Sequence, residues 1–152
     1  MKILPLAIGL ASLGFANSVW AYHFEPTNTA FKAHGAFTVT AGAVSLPCTA
    51  HFQGTTVGGA QITSARFSGI SCVALTASGL PWAITTHSAD GATINGVAVS
   101  ALILGVCGPG NVKATVSHTG KFTITGANLP GLVPCTVTST FLTNPHLTIV
   151  KH

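Results

Sequence analysis

Residues 44–52 read VSLPCTAHF, and their alternation decides the fold class. Val44, Leu46, Cys48, Ala50 and Phe52 are apolar, whereas Ser45, Thr49, His51 and Gln53 are polar. A period of two marks a strand with one buried face. Residues 37–40 (FTVT) alternate in the same way, and Gly42 marks a turn between the two runs. Pro47 lacks a ladder donor, so an edge strand or a bulge is expected there. In residues 60–67, Ile62 and Phe67 lie an odd number of positions apart, which a bulge near residues 64–66 reconciles.

Working outward, residues 72–76 and 82–86 read as strands, with Asp90-Gly91 and Asn95-Gly96 as turns before a strand over 97–104. Residues 105–110 (GVCGPG) read as a tight connection carrying Cys107. Residues 112–116 and 122–124 form a hairpin, and 135–141 and 147–150 supply the last strands. Residues 22–34, with Pro26, read as irregular. About ten short strands at roughly ten-residue spacing predict an all-β fold. The expectation is a single-domain antiparallel β-sandwich, Greek-key-like and stapled by disulfides.

Residues 1–21 read as a signal peptide: Lys2, an apolar run over 3–16, and Val19-Trp20-Ala21 with small residues at −3 and −1. Cleavage after Ala21 would leave one domain over 22–152 and no segment long enough to cross a membrane as a helix. The chain is expected to be secreted through the periplasm to the medium or cell surface.

Charge is scarce: six Lys and Arg and two acids in 152 residues. The high isoelectric point, near 9.1, follows from missing acids, and the cations are scattered, so no nucleic-acid partner is expected. A hydroxyl-rich, weakly charged surface suits either assembly with further copies or adsorption at an apolar interface. Four cysteines in an exported chain read as two disulfides with three pairings open. The sequential pairing, Cys48–Cys72 and Cys107–Cys135, is preferred because it closes two loops of similar length. Each bridge would stabilise the fold by about 3–4 kcal/mol in the chain-entropy model.

Catalytic chemistry finds little to work with. Glu25 and Asp90 are the only side-chain acids, and Asp90 suits a turn, so a two-carboxylate hydrolase is not expected. No G-x-S-x-G is present. The seven histidines make no H-x-H or H-x-x-x-H pair, so no metal site is expected, and no cofactor. Trp82, after Pro81, is a candidate platform for a sugar or acyl chain, although an aromatic at a strand start more often fills a core. The expectation is a non-enzyme.

Several segments carry a resemblance: SLPCTAHFQGTT, ITSARFSGISC, ASGLPWAIT, INGVAVSA, VCGPGNV, and a late cysteine before a Thr-rich strand. Together they resemble the bacterial protein activator of alkane oxidation, the Pra family, over residues 30–150 and all four cysteines. The resemblance implies a small secreted protein of Gram-negative bacteria that promotes growth on long-chain alkanes by dispersing or contacting the oil. It transfers no catalytic residue. The expected function is therefore a non-enzymatic accessory to alkane utilisation, whose partner is an apolar interface, alkane droplets or the cell surface. The alternatives are a self-assembling surface or biofilm fibre subunit, with residues 22–40 as a donated strand, and a carbohydrate- or lipid-binding module using Trp82.

Overall fold

The structure is a computed structural model that describes residues 21–151. The expected signal peptide lies, but for Ala21, outside the described residues. Among the described residues eleven strands form: β1 (Tyr22–Glu25), β2 (Ala30–Ala41), β3 (Val44–Thr55), β4 (Gln61–Ser68), β5 (Thr76–Ser78), β6 (Trp82–Thr86), β7 (Gly91–Ala101), β8 (Gly105–Val116), β9 (Lys121–Leu129), β10 (Cys135–Asn144) and β11 (Thr148–Lys151). Among the described residues a 3-10 turn covers Ile70–Cys72, and the strand expected over residues 72–76 does not form before Thr76, where β5 begins.

The all-β, disulfide-stapled, antiparallel expectation holds, but the sandwich does not. Eight strands close into a barrel in the order β2-β3-β4-β6-β7-β8-β9-β10 and back to β2. This is chain order, an up-and-down meander with no Greek-key crossover. The ring shuts where β7 pairs with β6 on one side, Ile84↔Ile94, and with β8 on the other, Ile94↔Val112. Period-two alternation serves a sandwich and a barrel equally, and only this pairing separates them.

Asn95-Gly96 makes the closure possible. Expected as a turn, it is a break in the middle of β7, where the register to β8 shifts between Ile94 and Val97. Gly96 takes φ +77°, which a side chain disfavours, and its N–H donates to Asn111 Oδ1 at 3.1 Å. Asn95 Nδ2 donates to the Ala83 carbonyl at 3.0 Å and to Thr85 Oγ1 at 3.2 Å. Before the break β7 pairs with β6; after it β7 pairs with the short side strand β5, Ala77↔Val99.

The opening stretch behaves as its alternation requires. Leu46, Cys48, Ala50 and Phe52 point inward, and their polar neighbours face out. Pro47 lies where β3 has only β2 beside it, because the β4 ladder starts at Thr49↔Ser68. The β4 bulge falls at Thr63, one residue before the expected segment, between the pairs Gln53↔Ser64 and Gly54↔Ile62. Residues 22–34 are not irregular: β1 pairs with β11, and β2 begins at Ala30.

Side chains fill the barrel, as eight strands allow. Rings run down its axis from Phe24 to Phe122 (5.8 Å), Phe141 (5.0 Å) and Phe52 (5.0 Å), and Trp82 meets Phe52 edge-on at 6.3 Å. Phe37 and Phe67 complete the cluster, 4.9 Å apart. The β1–β11 ribbon lies over one mouth, tied there by Thr86 Oγ1 donating to the Tyr22 carbonyl at 2.7 Å. An apolar inside and a hydroxyl-bearing outside reverse the pattern of an outer-membrane barrel.

Phe52 touches four other rings, so it is the residue whose truncation should cost most. Phe52→Ala should lower unfolding free energy by about 3–5 kcal/mol, read as a shifted urea midpoint by Trp82 fluorescence.

Candidate functional site

The mouth opposite the ribbon is where the surface departs from the ordinary. Four connections meet there: the β2–β3 turn at Gly42-Ala43, residues 69–75 between β4 and β5, the β7–β8 turn at residues 102–104, and the β9–β10 loop at 130–134. The ladder pairs Ala41↔Val44, Cys135↔Ala41, Cys135↔Leu129, Ala101↔Gly105 and Thr76↔Ser100 bring them to one end.

Seven of the nine exposed large hydrophobic residues belong to this end: Ile70, Val73, Leu102, Ile103, Val106, Leu132 and Val133. Ile70 is 99% exposed and Leu102 95%. Single exposed apolar residues are ordinary, whereas a contiguous set marks a contact surface. The end also lacks charge. Residues 41–50, 67–86, 91–112 and 122–145, which include every segment meeting there, contain no ionisable side chain apart from the bridged cysteines.

The ionisable groups collect elsewhere. His87, Asp90, His118, Lys121 and His146 sit at or beside the turns of the opposite mouth. His23 and Glu25 lie on the ribbon, with Nε2 and Oε2 2.6 Å apart. Among the described residues no three of His, Cys, Asp and Glu come together. The molecule thus has one apolar, uncharged pole and one polar, ionisable pole.

Two disulfides stand behind the apolar pole, Cys48–Cys72 and Cys107–Cys135, each with Cα atoms 5.8 Å apart. Each crosses a seam where ladder pairing fails. Cys48 precedes the start of the β3–β4 ladder, and its bridge holds the 3-10 turn that carries Ile70. The β8–β9 ladder runs only over Thr115↔Thr123 and Val116↔Phe122, so Cys107–Cys135 ties β8 directly to β10 lower down. The Gly108 N–H, donating to the Pro130 carbonyl at 2.7 Å, reinforces that seam. Residues 105–110, expected as a connection, are therefore the first half of β8.

Trp82, the candidate platform, is 1% exposed, and its Nε1 donates to the Ser78 carbonyl at 2.9 Å. Its ring packs in the barrel and offers no face to a ligand in the folded chain. Sequence reasoning missed the apolar pole because residues 102–104 (LIL) prolong an apolar run and read as strand. The overlooked signal was apolar residues inside Gly- and Pro-flanked turns: GISCV, LILG and PGLVP.

A family model described as alkane oxidation protein activator PraA/PraB-like matches residues 1–151. No curated protein and no solved structure matches the chain.

Removing the lower bridge tests its place at the seam. Cys107→Ser/Cys135→Ser should cost about 3–4 kcal/mol in urea unfolding, with amide exchange accelerated first in residues 105–110 and 130–135.

Proposed function

The chain belongs to the PraA/PraB-like family of alkane oxidation protein activators, and from that premise we propose that it is a secreted, non-enzymatic accessory to alkane utilisation. It works by placing its apolar pole in a hydrocarbon phase or at the oil–water boundary. The observation that carries this reading is the set of seven exposed apolar side chains on an end without ionisable groups.

Energetics favour that orientation. Fully transferring a Val, Leu or Ile side chain out of water is worth about 1.5–3 kcal/mol. Even partial immersion of seven such residues is enough to outweigh the cost of fixing the molecule at a surface. A charged side chain in the same place would oppose entry. The opposite pole, with its histidines, Glu25, Asp90 and Lys121, stays in water. Two buried disulfides suit an oxidising compartment outside the cytoplasm.

The fibre reading gains less support. Its donor segment included β2, which is paired along its length with β3 and over most of it with β10. Donating it would open the barrel.

Adsorption to hexadecane droplets tests the proposal. Leu102→Ser/Ile103→Ser should weaken adsorption by at least tenfold, at about 1.5–3 kcal/mol per fully transferred side chain, with the unfolding midpoint little changed. Equal adsorption by the parent and the variant would count against the pole, and failure of the parent to adsorb would end the proposal.

A further inference from the structure

One flank of the barrel carries a cationic cluster that the packing does not need. Leu142, His34, His51 and Arg66 lie in a row across β10, β2, β3 and β4, through the pairs Leu142↔His34, His34↔His51 and His51↔Arg66. All four belong to the outward face of their strands. In the adjoining row, further from the apolar pole, Lys32 stands between Asn144 and Gln53. Lys32, His34, His51, Gln53, Arg66 and Asn144 line an open groove of about 410 Å³.

Lys32 on β2 and Arg66 on β4 bring two positive charges to one flank on either side of β3, where an acid nearby would normally offset them. No carboxylate is placed here. The two acids of the chain are on the β1–β11 ribbon and in the β6–β7 turn, and the one ion pair among the described residues is His23–Glu25. His51 has a neutral partner, with its Nε2 3.2 Å from Ser68 Oγ. In a chain so short of charge, two of the five described cations and two of the six described histidines share this small area.

Its height above the pole is informative. Arg66 precedes Ile70 by four residues, roughly 13 Å along a strand, or about 10 Å along the axis of a tilted barrel. The intervening outward rows are uncharged: Thr140, Ala36, Thr49 and Ser68, then Thr138, Thr38 and Pro47, then Thr136, Thr40 and Ser45. A protein with its apolar end immersed by about 5–10 Å would hold Arg66 at the level of lipid headgroups, with His34 and Lys32 higher on the same flank, eight and ten residues along β2 from the Gly42 turn.

We infer that the Lys32–His34–His51–Arg66 flank binds the phosphate headgroups of an anionic lipid layer covering the apolar phase. The Arg66 fork and the Lys32 ammonium supply charge, and the imidazole N–H groups supply directed donors between them. The inference rests on the apolar pole as the entering end, and deepens that reading by naming the coat through which the protein reaches the hydrocarbon.

The test compares hexadecane droplets that are bare, coated with phosphatidylcholine, or coated with phosphatidylglycerol, at low ionic strength. The parent should prefer the phosphatidylglycerol coat. Lys32→Ala/Arg66→Ala should reduce binding to that coat by about 25-fold, near fivefold per cation at a charged surface, and leave binding to bare droplets unchanged. Lys113→Ala, which removes an equal charge from β8, should have a smaller effect than either single change. An unaltered preference in the double variant, or equal losses from Lys113→Ala, would overturn the inference and leave the pole intact. Loss of the preference on adding millimolar inorganic phosphate at fixed ionic strength would also overturn it, since the site would then take free phosphate. A parent that ignores bare droplets but still selects phosphatidylglycerol through Lys32 and Arg66 would sink the pole reading and keep the cationic site.

Discussion

The structure depends on one strand that serves two neighbours. β7 must pair with β6 and β8 at once for the ring to close, and it must also hold β5 beyond the break at Asn95-Gly96. A straight strand could not do this while following the curvature of eight strands. The left-handed glycine and the Asn95 amide, bonded across to Ala83 and Thr85, fix the bend. Closure then gives the aromatic rings a common interior, and it gathers the four connections at one mouth into a single surface. A sandwich would distribute those connections differently and leave free edges.

How much of this could be read in the sequence depends on the range of the interaction. Alternation over residues 44–52 is local, and it gave the inward and outward sides of β3 correctly at each position. The bulge in β4 was legible within a residue because Ile62 and Phe67 fall out of phase. Ring closure was not legible, since Ile84↔Ile94↔Val112 is a matter of which strands meet and leaves no period of its own. Asn-Gly misled for a physical reason: the positive φ that suits a hairpin turn also suits a bulge. Tyr22–Glu25 misled because its partner, Thr148–Lys151, is at the other end of the chain.

The apolar pole was hidden by the same ambiguity. Leu102, Ile103 and Leu104 look like the end of a buried strand, yet the chain reverses through them, leaving only Leu104 buried. Trp82 shows the converse, a residue that looked available for binding and is packed against Phe52. Composition did indicate that charge is scarce, but not that its distribution is polarised. That feature appears only when the turns are sorted by the mouth at which they lie.

Short turns and bridges also explain why the apolar side chains stay exposed. A long, flexible loop carrying Leu102 or Leu132 would gain by folding back over the barrel and burying itself. The β7–β8 turn is too short to do so, and the bridges hold the segments bearing Ile70, Val106 and Val133 at seams where hydrogen bonding alone would let them shift. The disulfides therefore act on display as well as on stability. They prevent the pole from hiding in its own core, which leaves an external apolar phase as the way to remove it from water.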